Sequence, residues 1–316
     1  MNILFVIDNI EFKYFEFNKL VTSFWLIAGL IERNHRVDIV TKDKLFLDGN
    51  IPMGLTYKTS LENNDLIKTK EYQKTELNSY NAIFFRPDPP VDNDYINATY
   101  VLDYVDKKTL IINNPQGLRN ANEKLFINNF PNIIPKNITT ADSGLIREFL
   151  HTHKEIVIKP LNRCFSKGVF YLNDKDKNIH TIIDTATNSG QTMVMVQEFL
   201  PKIKEGDKRL VYIDGEIFEE CVCKIHGDDD FKFNTHDDKF FKKGIITDEE
   251  RKIAEYIKPI MEKEGLYIAG LDVVDGKMIE INVTSPCFFI KEVNQVFNTH
   301  FEIKILDKIE NLINRL

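Results

Sequence analysis

The chain has 316 residues, 43% hydrophobic and 28% charged, with 41 basic against 48 acidic side chains and a formal net charge of −7. That length and balance indicate a globular protein of two or three domains with a substantial core. They exclude a duplex-binding surface as its main business, while leaving room for a local basic pocket for phosphates.

In chain order, Asn2–Ile7 reads as a buried strand that ends at Asp8 without a basic leader, so a strand rather than a signal peptide is expected there. A helix is expected over Ser23–Arg33, and strands over Arg36–Val40, Ala82–Phe85 and Thr109–Ile112. Strands alternating with helices predict a parallel sheet with ligands at the carboxyl ends of its strands. No G-x-G-x-x-G follows the first strand, so the dinucleotide fingerprint is missing. Helices are expected over Gly117–Asn128, carrying Lys124, and from a Thr140 cap to about His151. Ile156–Pro160 reads as a strand ending in Lys159, and Met193–Gln197 as one closed by Glu198. Arg209–Ile213 and Glu216–Lys224 read as a hairpin turning at Asp214-Gly215, and the polar stretch from Asp228 to Lys243 as a mobile loop. Thr247–Glu250 carries the capping-box pattern. Ile253, Ile257, Ile260 and Met261 stripe the helix that follows, Gly265 stops it, and Pro259 predicts a kink. A last helix presents Ile305, Leu306, Ile309, Leu312, Ile313 and Leu316.

Cys164, Cys221, Cys223 and Cys287 include no CxxC pair, so a zinc site is disfavoured and a reducing, cytoplasmic compartment is expected. No run approaches eighteen apolar residues, and no membrane span is expected.

The segment Gly270–Asn282 is the most informative. It reads as two short strands joined at Asp275-Gly276. A two-residue turn would pair Asp272 with Ile279 and put Glu280 on the opposite face. A three-residue loop from Val274, ending in a left-handed bulged glycine, pairs Asp272 with Met278. Asp272, Glu280 and Asn282 then share one face and the aliphatics the other, so the second register is expected. Two acids and an amide are oxygen donors of the kind a hard cation such as magnesium takes; a solvent-exposed acidic hairpin is the plain alternative. Lys124, Lys159 and Arg209 each read singly as solvated charges, although Lys159 ends an aliphatic strand. Glu198 could accept a hydrogen bond from an exocyclic amine. Together with the hairpin these residues make a nucleotide–phosphate–metal pattern without a P-loop.

That combination resembles the ATP-grasp superfamily and, within it, bacterial glutathione synthetase. The matching strings are Arg86–Asp92, Asn113–Arg119, Asn122–Phe126, Ile158–Leu161, Gly206–Arg209, Gly270–Val274 and Glu280–Pro286, in order along nearly the whole chain. The resemblance implies an α/β architecture, an ATP-grasp fold preceded by a Rossmann-like parallel-sheet domain. Its three parts would be an N-terminal domain over 1–120, a central lid over 121–200 and a catalytic domain over 201–316. It implies ATP contacts from Lys124, Lys159, Gln197, Glu198, Phe199, Leu200 and Asp207. It gives Mg2+, or Mn2+ in its place, to Asp272, Glu280 and Asn282. Arg209 would be the catalytic residue that stabilises an acyl phosphate, and Arg86, Asn234 and Ser285 would face the substrate. The implied reaction joins γ-glutamylcysteine to glycine with ATP. The implied partners are small peptide and amino-acid substrates, with no nucleic acid or membrane, in a homo-oligomer for which the sequence shows no interface signature.

The chain departs from the family pattern in its loops. Asn162–Gly168 keeps one glycine where the family has a glycine-rich phosphate loop, and Arg163 or Lys167 would supply charge instead of backbone amides. Lys232–Lys239 keeps Asn234 but replaces the family's arginine with Lys232, which lacks a bidentate grip; His236 also lies in this loop. The run Cys287–Glu292 loses the threonine and arginine that follow Ser-Pro in the family, and Leu20–Phe24 stands where the family has Lys-Asp before Ser-Phe. An altered acid or amine substrate, or a nucleotide-binding protein without turnover, therefore stand as alternatives.

Overall fold

The structure, a computed structural model, describes residues 1–15, 21–63, 65–164, 166–225 and 240–315. Three sheets organise these residues. The first is built on β1 (Asn2–Ile7), which is followed by helices α1 (Asn9–Lys13) and α2 (Thr22–Glu32) and by β2 (Arg36–Thr41). Strands β3 (Leu45–Asp48), β4 (Ile51–Glu62), β5 (Asp65–Lys68) and β6 (Gln73–Glu76) come next, then β7 (Ala82–Phe85), α3 (Asn93–Leu102) and β8 (Leu110–Ile112). The expected parallel sheet is real for β2, β1, β7 and β8, whose aliphatic runs are buried on both faces. The sheet as a whole is mixed, because β4 runs antiparallel to β2 and carries β3, β5 and β6. The first half of β4 alternates buried and half-buried positions, the period-two pattern of a strand with one covered face.

The helix expected over Gly117–Asn128 is shorter. Asn114 caps α4 (Pro115–Asn120), its side chain accepting from the amides of Gln116 and Gly117, with Pro115 at the first position. Asn122 then ends it: Oδ1 accepts from the amides of Lys124 and Leu125, both at 3.1 Å, a local bond that competes with helix continuation. Lys124 therefore stands on a turn.

The second sheet orders β11 (Phe170–Asn173), β10 (Glu155–Pro160), β12 (Val194–Glu198) and β9 (Asn137–Thr140), all antiparallel. Helices α5 (Ser143–His153) and α6 (Ile179–Ala186) cover one face, burying Ile146, Leu150 and Ile183 against Ile156, Ile158 and Leu172. The cap of α5 is Asp142 rather than Thr140, whose hydroxyl instead accepts from the Asp142 amide.

The third sheet contains β13 (Asp207–Ile213), β14 (Glu216–Ile217), β15 (Val222–Lys224), β16 (Phe241–Lys243), β17 (Ile268–Val274) and β18 (Lys277–Asn282). The expected return strand over Glu216–Lys224 is split: β14 pairs with the end of β13 and β15 with its start. Helix α7 (Asp248–Glu264) has the Thr247/Glu250 capping box and a left-handed Gly265, and it continues through Pro259. Helices α8 (Ile290–Phe297) and α9 (Phe301–Asn314) close the chain, with the apolar stripe of α9 in the core. Of the expected Asp228–Lys243 loop, residues 228–239 lie outside the described residues. Among the described residues no helix is long and apolar enough to cross a membrane.

The Asn113 side chain ties the first sheet to the third. Its Nδ2 donates to the carbonyls of Ile268 and Val283, each at 2.7 Å, and its Oδ1 accepts from the Ile268 amide at 2.8 Å.

Candidate active site

The site follows from strand register. Along β13, Asp207 and Arg209 are two apart and share a face. Asp207 pairs with Lys224 across to β15, Arg209 with Asp272 across to β17, and Asp272 with Glu280 across to β18. One face therefore carries all five charged side chains, while Leu210, Leu271 and Ile281 take the other and enter the core. Further along the same strands the charged face turns apolar, with Val211, Ile213 and Ile268 in the core that α9 completes.

The hairpin reaches this arrangement by a different route from the one expected. Val274 pairs with Lys277, so the turn is the two-residue Asp275-Gly276, with φ of 51° and 72°. The irregularity lies between Asp272 and Val273, whose partners are Glu280 and Met278, so Ile279 is the extra residue of a bulge in β18. The bulge flips the parity and returns Glu280 to the face of Asp272. Gly270 pairs with Asn282, which places the amide on that face too.

Asp272 is buried and heavily engaged. Arg209 donates to it from Nε at 2.7 Å and Nη2 at 3.0 Å, Lys224 Nζ lies 3.1 Å from Oδ1, and Asn282 Nδ2 donates to Oδ2 at 3.3 Å. Burial opposes the Asp272 charge, but Arg209 and Lys224 outweigh it and hold the carboxyl well below its usual range. Lys224 also forms an ion pair with Asp207. Burial works against its ammonium, and Asp207 and Asp272 more than offset this, so its pKa is raised.

Lys124 Nζ donates to Glu280 Oε1 at 3.2 Å and to the Arg163 carbonyl at 2.8 Å; Lys159 Nζ reaches the Ile279 carbonyl at 3.5 Å. Burial, with Lys124 adding, keeps Lys159 below its ordinary value against the pull of Glu280. Glu123, beside Lys124, fixes the loop after β18: its Oε1 accepts from the amides of Val283 and Thr284 and from the Thr284 hydroxyl.

A cleft between the second and third sheets is lined by Lys124, Lys159, Asp207, Lys224, Asp272 and Glu280 at its charged end. Gln197, Glu198, Phe199, Leu200, Val157 and Tyr171 line its other end. Glu198 Oε1 accepts from the Lys136 amide and from Lys277 Nζ, both at 2.9 Å. From the loop after β10, Arg163, Cys164 and Ser166 reach the cleft wall, and Cys164 Sγ faces the Pro89 carbonyl at 3.9 Å. Of the residues expected to meet substrate, Arg86 is buried beyond this cleft, donating to Ser23 Oγ and the Pro286 carbonyl, each at 3.0 Å. Arg209 donates to the next carbonyl, Cys287, at 2.9 Å, so the loop holding Ser285 joins the two arginines. Asn234, with Lys232 and His236, lies outside the described residues.

Sequence reasoning missed Lys224, which sits in no recognised string. Its only signal is spacing: it falls on the face of β15 opposite Asp207, once the strand is broken at the correct place.

Asp272, Glu280 and Asn282 offer oxygen donors only, on one face, beside two buried lysines. That donor chemistry fits a hard divalent cation whose remaining ligands come from a polyphosphate. The Asn282 nitrogen is spent on Asp272 and on the Gly270 carbonyl at 3.2 Å, so Oδ1 is the atom it would offer.

Solved structures share this architecture at low identity. A D-cycloserine synthetase aligns with a TM-score of 0.67 at 14% identity, covering 99% of this chain and all of the other. D-alanyl-alanine synthetase A from Vibrio cholerae aligns at 0.62 and 12%, covering 100% and 99%. An ATP-grasp ligase complexed with a precursor peptide aligns at 0.61 and 14%, covering 98% and 97%. The fold is thus that of ATP-grasp ligases. The family model for the N-terminal domain of prokaryotic glutathione synthetase matches residues 1–119, and that for its ATP-grasp domain matches residues 123–298. Glutathione synthetases from Vibrio parahaemolyticus and Coxiella burnetii are 33% and 34% identical, over 92% and 84% of this chain and 93% and 84% of theirs. The chain belongs to the prokaryotic glutathione synthetase family, ATP-dependent ligases that form an amide bond.

Proposed function

We propose that this protein joins the cysteinyl carboxylate of γ-glutamylcysteine to the amine of glycine, in the cytoplasm, with ATP and Mg2+. The observation that carries the reading is the meeting of two buried lysines, Lys124 and Lys159, with the Asp272–Glu280 pair at one end of a cleft. Buried like charges repel, and a polyanion with its counter-cation relieves both halves of such a site. Asp272, Glu280 and Asn282 would hold Mg2+, which when bound neutralises phosphate charge. Lys124 and Lys159 would bind the phosphates, and the strand end from Gln197 to Leu200 the adenine.

A carboxylate oxygen of the acid attacks the γ-phosphorus, and ADP leaves. The glycine nitrogen then attacks the acyl carbon, phosphate leaves, and the nitrogen sheds its proton. Arg209, oriented by Asp272, faces charge that develops on the acyl phosphate. Ser285 and Arg86 lie on the acid's side, and Asn234 is assigned to the substrate by its motif.

The test is ADP release with γ-glutamylcysteine, glycine, ATP and magnesium, with glutathione identified by mass. Asp272→Asn and Glu280→Gln should each lower kcat by at least about a hundredfold, the scale of losing a group that stabilises transition-state charge. No ADP above background with this pair, but ADP with another acid or amine, would move the substrate assignment.

A further inference from the structure

A cluster at the carboxyl ends of β1 and β7 takes no part in the chemistry above. Asp8 follows β1 and Asp88 lies just beyond β7, on neighbouring parallel strands, and the Asp88 amide donates to Asp8 Oδ2 at 2.5 Å. Glu11, on α1, is 6% exposed, and the charges that act on it are those of Asp88, Arg86 and Asp8. Its side chain accepts from the Asp8 amide, yet its Oε2 is buried with no hydrogen-bond partner among the described residues. Tyr95, on α3, is 0% exposed, and among the described residues its hydroxyl has no hydrogen-bond partner either. The charges facing that hydroxyl are Glu123, Asp8 and Asp88. Two buried polar atoms on different elements thus lie within the field of the same two carboxylates. Orphans of this kind are costly and call for a ligand.

Two cations, Arg86 and Lys42, act on these three carboxylates. Arg86 is the cation beside Glu11, and its Nε and Nη2 are already given to Ser23 and Pro286; Lys42 acts on Asp8. Burial, with repulsion from Asp88 and Asp8 adding, pushes Glu11 up to about 8; burial and the Asp8 charge raise Asp88, and burial raises Asp8. Among the described residues no group of three or more carboxylate, imidazole or thiol side chains is arranged to hold a metal ion. A primary ammonium, with three donors on a carbon stem, suits acceptors spread more widely. Asp8 and Asp88 are only half-buried, which gives such a group a way in.

We propose that Asp8, Glu11 and Asp88, with the Tyr95 hydroxyl, form a pocket for the free primary ammonium of the acid substrate, at the end remote from the carboxylate that is activated, and that Glu11 sets the preference for that amine. The assignment rests on the ligase reading. The pocket is continuous with the site: the Asp88 side chain bonds to Ser285, and the Pro286-Cys287 backbone joins Arg86 to Arg209 and so to Asp272.

Calorimetry of γ-glutamylcysteine and its N-acetyl analogue, on the full chain with a non-hydrolysable ATP analogue and magnesium, tests it. The wild type should bind the free amine at least about tenfold more tightly, the scale of one lost charge-assisted bond. Glu11→Gln should shrink that ratio several-fold, Tyr95→Phe should shrink it less, and both should leave affinity for the ATP analogue unchanged. A wild-type ratio near one, failure of γ-glutamylcysteine to bind, or an unchanged ratio in Glu11→Gln overturns the pocket. ADP release scores the ligase reading separately. Turnover with acids that lack an amine would keep the ligase and lose the pocket; amine preference without turnover would do the reverse.

Discussion

Asp272 and Glu11 are both buried acids, and their neighbours send them in opposite directions. Arg209 and Lys224 keep Asp272 ionised, whereas burial and the carboxylates Asp88 and Asp8 keep the proton on Glu11 up to about pH 8. The difference has a measurable sign. Below about pH 4.5 both folded and unfolded chains hold the Glu11 proton. Between there and about pH 8 the folded chain holds it and the unfolded chain does not, so the contribution to stability is lost as pH rises through this window. Glu11→Gln abolishes that loss. Its Tm relative to wild type, followed by scanning calorimetry from pH 5 to pH 8, should climb steadily; a constant difference would place the carboxyl in a solvated setting. Asp8 and Asp88 act in the same direction in both proteins and cancel in the comparison.

At the scale of elements, two glycines separate stability from activity. A Cβ at Gly117 would stand 2.0 Å from the Glu264 carbonyl oxygen, where α4 meets the end of α7. Backbone cannot yield there, so Gly117→Ala should cost about 2 kcal/mol or more, read as a lower denaturant midpoint. A Cβ at Gly270 would meet Arg209 Nη1 at 2.9 Å, the far end of a flexible side chain. Gly270→Ala should therefore lower the midpoint less than Gly117→Ala, because a side chain can yield where backbone cannot, and displace Arg209 from Asp272, lowering kcat roughly tenfold or more. Equal losses of stability in the two variants would show that the arginine does not move aside. The hairpin belongs to this scale as well. Alternation of Leu271, Val273, Ile279 and Ile281 was readable and gave the correct face for Asp272, Glu280 and Asn282. The location of the irregularity was not, because an extra residue in the turn and one at Ile279 satisfy the same alternation; only the ladder shows that β18 bulges. The short α4 was missed for a similar reason. Nothing in the apolar pattern after Gly117 reveals that the Asn122 side chain will take the amides of Lys124 and Leu125.

Across the whole molecule, the Asn113 side chain holds the first sheet against the third through three bonds of 2.7 to 2.8 Å. Asn113→Ala leaves the Ile268 amide and two carbonyls buried without that partner, so a loss of about 2–3 kcal/mol is expected. Because the site's loop begins at Val283, the variant should also weaken binding of the acid more than binding of ATP, a split that titration of each ligand would reveal. A uniform loss would mean that the contact stabilises the fold without positioning the acid. The sequence by itself determined most strand positions and the ATP-grasp family, because strand period and short motifs are local properties of the chain. Only the tertiary structure decided that Lys224 joins Asp207 and Asp272, that Arg86 serves the loop after Ser285, and that Glu11 and Tyr95 are buried in the field of one carboxylate pair. Those relations depend on register between strands and on packing of distant segments, where burial and charge are set by neighbours that no local pattern names.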